Sequence, residues 1–245
     1  MASYGSRTLS RQLFLRHFAL ESHTSLSAIH VAALRPEVVL SSENRKSCVR
    51  NLKQYLQPRR VIQENASKAA VLVPLCIHKG ELGLLYTLRS TKLNTNRGQV
   101  SFPGGMHDKN DSSLEETALR ETWEELKIPQ DKIDIWTSGN PIGRKDVTVF
   151  PVLGFVGEID LDNLQLNPEE VEEAFVLSLK KLCDPASCHF TQFRNTYSLP
   201  SYTGGKHRVW GLTAAITHMV MCSLVPGIYK HRILYLQSIG QINSS

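Results

Sequence analysis

The run Gly104-Gly105-Met106-His107-Asp108-Lys109-Asn110-Asp111-Ser112-Ser113-Leu114-Glu115-Glu116-Thr117-Ala118-Leu119-Arg120-Glu121-Thr122-Trp123-Glu124-Glu125-Leu126 joins a glycine turn to a helix carrying three carboxylates at metal-ligand spacing. On a 3.6-residue period Glu121, Glu124 and Glu125 stand at i, i+3 and i+4 and share a face, with Leu119, Trp123 and Leu126 expected on an opposite, core-facing side. Three like charges on adjacent turns repel, a penalty that a hard, oxygen-seeking Mg²⁺ or Mn²⁺ bound between them removes. A solvated acidic face fits the same spacing, since Glu is a good helix former; the glycines and Arg120 favour the metal. Asp108, Asn110, Asp111 and Ser112 are candidate helix caps, and Ile128-Pro129 closes the helix.

Outward from this run, Ala69 to Ile77 reads as a buried strand, and His78-Lys79-Gly80 turns the chain into a second strand, Leu82 to Leu88. Gln99 to Phe102 is a short strand that Pro103-Gly104-Gly105 turns toward the helix. Beyond the helix, Ile133 to Trp136 and Thr148 to Val156 read as strands, with Gly143 to Asp146 expected as a surface turn. Asn167 to Phe175 is a carboxylate-dense loop or helical turn, residues 195 to 210 suggest a hairpin around Gly204-Gly205, and Leu212 to Leu224 an apolar helix stopped by Pro226-Gly227. Strands on both sides of one central helix, with another helix near the end, predict an α/β/α sandwich with a mixed sheet.

The chain of 245 residues is long enough for one core-bearing domain with extras. Its formal charge of +5 is concentrated at the front: residues 1 to 60 carry a net +7 and the rest −2, so nucleic-acid binding is not expected of the central domain. Residues 1 to 20, with Arg7, Arg11 and Arg16 and no acid before Glu21, have the composition of a mitochondrial transit peptide, and a basic tail is the alternative. The C-terminus Ile242-Asn243-Ser244-Ser245 carries no peroxisomal address. The expected division is a leader and linker over 1–40, a short amphipathic helix and linker over 41–60, the main domain over 61–230 and a tail over 231–245. No run of eighteen apolar residues predicts a membrane span. Five cysteines without a CxxC pair fit a reducing compartment and receive no role. A monomer or homodimer is expected, the amphipathic helix docking on the domain or serving a dimer.

Gly105 followed by Arg120-Glu121-x-x-Glu124-Glu125 resembles the Nudix box of hydrolases that cleave nucleoside diphosphates linked to another group. The resemblance implies a loop-helix-loop metal site, Glu121 and Glu125 as metal ligands with Glu124 as a further ligand or base, and Arg120 orienting a glutamate. Two positions depart from the common box. It runs one residue longer between Gly105 and Arg120, with Ser112 near the place of the usual glutamate, and Lys127 replaces the glycine that usually follows the helix.

Upstream, Leu84 to Ser90, Leu93 and Gly98-Gln99-Val100-Ser101-Phe102-Pro103-Gly104-Gly105 resemble the signature of coenzyme A diphosphatases, whose longer box also begins Gly-Gly-x-x-Asp, here Gly104, Gly105 and Asp108. Glu170-Val171-Glu172-Glu173 and His207 to Thr213 are similar to later segments of that subgroup, and with the basic N-terminus the resemblance is to its mitochondrial members. It implies metal-dependent cleavage of coenzyme A and acyl-coenzyme A into adenosine 3′,5′-bisphosphate and a 4′-phosphopantetheine. Glu124, Glu170 and Glu173 remain open as the general base, and Arg89, Lys92 and Arg97 are candidate phosphate contacts beside Gly104 and Gly105. Asn94 and Asn96 stand where basic and histidine positions are expected, so a Nudix pyrophosphatase for NAD-type dinucleotides or ADP-ribose is the alternative, followed by a non-catalytic Nudix-fold binder.

Overall fold

The computed structural model describes residues 26–55, 66–144, 146–193 and 197–231; the basic first twenty residues, the break at 57–60 and most of the C-terminal tail lie outside them. The framework is an eight-stranded mixed sheet with helices on both faces. Strands β1 (Ser67–His78) and β2 (Glu81–Arg89) form the expected hairpin. Its two turn residues, Lys79 at φ 51° and Gly80 at φ 77°, have the left-handed geometry that matches the strands' twist. The hairpin pairs only near its turn, from His78↔Glu81 to Leu75↔Leu84. Farther on, β2 pairs with β3 (Val100–Ser101) and β1 with β4 (Gly104–Met106), so residues 100–106 bridge the opening between the two strands.

After helix α4 (Leu114–Leu126) come β5 (Asp134–Ser138), β6 (Ile142–Arg144) and β7 (Val147–Glu158). β7 runs parallel to β1 over most of its length, and both are largely buried, which explains their near-continuous apolar sequence. Of the stretch expected as a surface turn, Gly143 and Arg144 belong to β6, which folds back on β7 with Arg144↔Val147, and Asp146 lies in the tight turn between the two strands. β8 (Val171–Ser178) adds to the free edge of β2, so the carboxylate-dense segment is a single turn, closed by bonds from the Glu170 and Val171 N–H groups to the Asn167 carbonyl, and then a strand. It leads into α5 (Leu179–Cys183), and a separate hairpin follows, β9 (Cys188–Phe193) with β10 (Tyr197–Tyr202). That hairpin lies earlier than the sequence suggested; Gly204-Gly205 sits in a loop closed by a Tyr202↔Val209 bridge. The apolar helix is α6 (Gly211–Leu224).

Each face of the sheet has its own core. On one face Leu72, Cys76, Leu85 and Val152 pack against Ala118 and Leu126 of α4. On the other, Val73, Leu75, Tyr86 and Leu153 pack with Leu179 of α5 and Ile216, Val220 and Leu224 of α6. This is the predicted α/β/α sandwich. The predicted amphipathic helix is α3 (Ser42–Gln54), which buries Cys48 and Leu52 in the second core. Residues 28–39, expected as part of the leader and linker, form α1 (Ala28–Ala33) and α2 (Pro36–Val39), and Leu34 and Val39 are buried in the same core. α3 docks on the domain: Asn44 and Asn51 donate side-chain N–H groups to the carbonyls of Leu224 and Ser223, at 3.2 and 3.3 Å. These are carbonyls in the last turn of α6, where the helix has no acceptor-satisfying turn of its own. Arg45 grips Asp134 through two bonds of 2.7 and 2.8 Å and lies over the Trp136 ring.

α4 starts at Ser113, one residue after the four candidates, its hydroxyl accepting from the Glu116 N–H at 3.1 Å. It ends at Lys127, whose φ of 54° and ψ of 28° place a lysine in the left-handed conformation that glycine adopts without cost. Lys127→Gly is expected to raise stability by up to about 1 kcal/mol, a few degrees in Tm, without altering catalysis; unchanged or lower Tm contradicts this.

Candidate active site

The site is assembled where the bridging segment crosses the C-terminal half of α4's inner face. Gly104, at φ 154°, passes so close to β1 that a β-carbon would enter the backbone of Ala70 and Val71. A β-carbon on Gly105 would collide with the Glu121 carboxylate. Pairing of Gly105 with Ala70 fixes this turn to the sheet, and the Gly104 N–H points toward the Glu125 carboxylate at 3.4 Å.

The buried stripe of α4 is Thr117, Ala118, Thr122, Glu125 and Leu126. Trp123, expected in the core, is instead 43% exposed with Lys127 over its ring. The division into an apolar face and an acidic face therefore fails at Glu125, which lies on the buried side beneath the glycine turn. Carboxylate oxygens of Glu121, Glu125 and Glu170 lie within 4.8 Å of one another. Burial pushes the Glu125 carboxyl up to about 8 despite the Gly104 N–H and the nearby Arg89, and burial likewise raises Glu121 against the pull of Arg120. Three converging carboxylates, one of them buried, suit a hard divalent cation, whose charge would offset both the burial of Glu125 and mutual repulsion.

Glu124 does not join the three. Its side chain is 44% exposed and meets Arg120 Nη1 at 3.3 Å on the rim of a cleft of about 370 Å³ lined by Met106, Asp111, Arg120 and Glu121 among others. Arg120 also donates to Glu121 at 2.9 Å, and its Nε and Nη2 engage the two oxygens of Asp111 at 2.9 and 3.1 Å. Asp111 is thus the acid that anchors Arg120, and the guanidinium holds its carboxyl well below the usual range. The sequence offers Ser112 near this place and Asp111 only as a cap; Ser112 instead binds the Glu116 carboxylate.

Glu170 arrives from the loop before β8. Its carboxylate accepts from the Asn167 side chain at 3.0 Å, and its backbone is tied to Ser90 just beyond β2. Glu173 is elsewhere: it accepts from Lys206 at 2.7 Å and bonds His207 at 2.9 Å, and these partners lower its carboxyl. Its place one register step into β8 turns it toward the 203–208 loop rather than toward Glu125. Arg89, at the end of β2, has a buried Nε with no hydrogen-bond partner and is close enough to lower the Glu125 carboxyl. Lys92 pairs with Glu169 at 2.6 Å and Arg97 is exposed on the same loop. The cysteines are free, and burial raises their thiols to about 11 or 12, consistent with no chemical role.

The fold and site define the class: the NUDIX domain model matches residues 66–196, and the chain belongs to the Nudix family, whose hydrolases generally use divalent metal ions. Among curated proteins it is similar to the mitochondrial coenzyme A diphosphatase NUDT8 of Mus musculus, 43% identical over 197 residues, 78% of this chain and 92% of that one. The Homo sapiens protein of the same name is 42% identical, over 73% of this chain and 78% of its own. Nudix hydrolase 3 of Caenorhabditis elegans is 34% identical, over 72% and 82% respectively.

Proposed function

We propose that this chain hydrolyses the diphosphate of coenzyme A and acyl-coenzyme A with Mg²⁺ or Mn²⁺, giving adenosine 3′,5′-bisphosphate and 4′-phosphopantetheine or its acyl form. The observation that carries the reaction class is the convergence of Glu121, Glu125 and Glu170 beneath the glycine turn. The substrate rests on the identity to the two NUDT8 proteins and on the segment 84–105. Glu121, Glu125 and Glu170 would hold the metal, which when bound neutralises phosphate oxygens and lowers the pKa of a water. Arg120, clamped by Asp111, orients Glu121 and Glu124. With Glu170 engaged among the three and Glu173 paired elsewhere, Glu124 on the cleft rim takes the water's proton. Arg89 meets a diphosphate oxygen, its charge already facing Glu125, while Lys92 and Arg97 on the exposed loop are left for the 3′-phosphate.

Assays with Mg²⁺ or Mn²⁺ across coenzyme A, acetyl-coenzyme A, NADH and ADP-ribose test the reading. Coenzyme A and its thioester should be cleaved fastest, and chelation should abolish turnover. Faster cleavage of NADH or ADP-ribose defeats the substrate class.

We also propose mitochondrial location, by likeness to the NUDT8 proteins and from the acid-poor first twenty residues. We put the leader ahead of residues 28–39, a reading supported by the burial of Leu34 and Val39 in the core. Residues 1–40 fused to a fluorescent protein should reach mitochondria; diffuse cytosolic signal refutes the proposal. Among the described residues no helix is long and apolar enough to cross a membrane.

A further inference from the structure

We infer that Asn167 is a positioning residue: it fixes the Glu170 carboxylate against the C-terminal turn of α4, and so sets the spacing between Glu170 and Glu125. The inference rests on the reading that Glu121, Glu125 and Glu170 hold the metal. Glu121 and Glu125 come from one helix and keep their separation through its backbone, whereas Glu170 lies forty-five residues later on a loop. Something must hold that loop in register with the helix. Asn167 does so from both ends. Its backbone N–H donates to the carbonyl of Glu125 itself at 2.9 Å, and its side-chain N–H donates to Glu170 Oε1 at 3.0 Å.

The remaining polar atoms of Asn167 close the loop on itself. Its side-chain oxygen accepts the Glu169 N–H at 3.2 Å, and its carbonyl accepts from Glu170 and Val171 at 3.0 and 2.8 Å. Pro168 follows, which restricts Asn167 to extended backbone and removes one way for the loop to slip. A second tie comes from the buried Ser90, whose N–H meets the Glu170 carbonyl at 2.8 Å and whose hydroxyl meets the Pro168 carbonyl at 3.2 Å. The amide occupies one carboxylate oxygen of Glu170, and a carboxylate has a second to offer a cation. An amide is required for this: it supplies the donor, while an aspartate of the same shape would face Glu170 with a like charge.

The test uses Mn²⁺ alone as the probe, with free ion measured by electron paramagnetic resonance, on the full chain carrying Asn167→Asp, Asn167→Ala or Glu170→Gln. Asn167→Asp keeps the acceptor that closes the loop and so keeps the fold, which circular dichroism and metal-free Tm check. Outer groups that orient metal ligands typically contribute ten- to a hundredfold in affinity, and both Asn167 variants should weaken Mn²⁺ binding by about tenfold. kcat at subsaturating Mg²⁺ should fall in parallel and recover in part as Mg²⁺ is raised. Weakened binding in Glu170→Gln with unchanged affinity in folded Asn167→Asp overturns the role of Asn167 alone. Unchanged affinity in Glu170→Gln overturns the metal set on which it rests.

Discussion

Glu125→Gln is expected to lower turnover by about a hundredfold or more while making the metal-free protein more stable at pH 8. The two effects share a cause. Glu125 is buried, and its carboxyl is pushed up to about 8 from an ordinary value of 4.5. A carboxyl raised by folding contributes stability that is fully present below about pH 4.5 and is lost as pH rises through 8. Without metal, the native protein should therefore weaken across that window. Glutamine has the same shape and no charge to desolvate, so the variant should show a flatter profile and gain on the order of 2–4 kcal/mol at pH 8. Mg²⁺ should raise the Tm of the native protein and leave the variant's nearly unchanged. Full activity in the variant at saturating Mg²⁺, or a metal-free variant less stable than the parent at pH 8, contradicts the assignment.

The second large effect belongs to Arg89. Its Nε is enclosed without a partner and its charge already acts on Glu125, so the side chain addresses the diphosphate that all candidate substrates share. Arg89→Ala should lower kcat/KM by about ten- to a hundredfold, the value of one charge-assisted contact of roughly 1.5–3 kcal/mol. The loss should be equal for coenzyme A and dephospho-coenzyme A. Discrimination between them should reside in Lys92 and Arg97, whose joint replacement by alanine shrinks a preference for coenzyme A and spares dephospho-coenzyme A. If Arg89→Ala removes that preference instead, the arginine binds the 3′-phosphate.

The hairpin of β1 and β2 was legible because His78-Lys79-Gly80 separates two apolar runs, and the helix of the box because its carboxylates and arginine repeat at helical spacing. What failed was the assignment of faces. Helical periodicity sorts residues by polarity, but the inner face of α4 must also place one charge beneath the glycine turn, so Glu125 is buried and Trp123 is not. The third carboxylate was visible only as a possible base, since the pairing of β8 with β2 that brings Glu170 back is a long-range fact without a local signal. Asp111 was read only as a helix cap because its bond to Arg120 spans nine residues across the loop and helix, which no local spacing marks. The helices at 28–39 were missed because the leader suggested by the basic first twenty residues was extended to residue 40, although 28–39 carry only Arg35 and Glu37 and no net charge.

The docking of α3 on α6 bears on how the molecule can be divided. Neither helix falls within residues 66–196, the part that matches the family model, yet together they roof one side of the sheet over Tyr86, Trp136 and Leu153. A fragment cut at the family's boundaries would keep every carboxylate of the site and expose that side to water. A unit that keeps this side of the sheet covered is therefore larger than the stretch that holds the site's carboxylates, and a truncation that preserves it begins ahead of Ala28 and extends past Leu224.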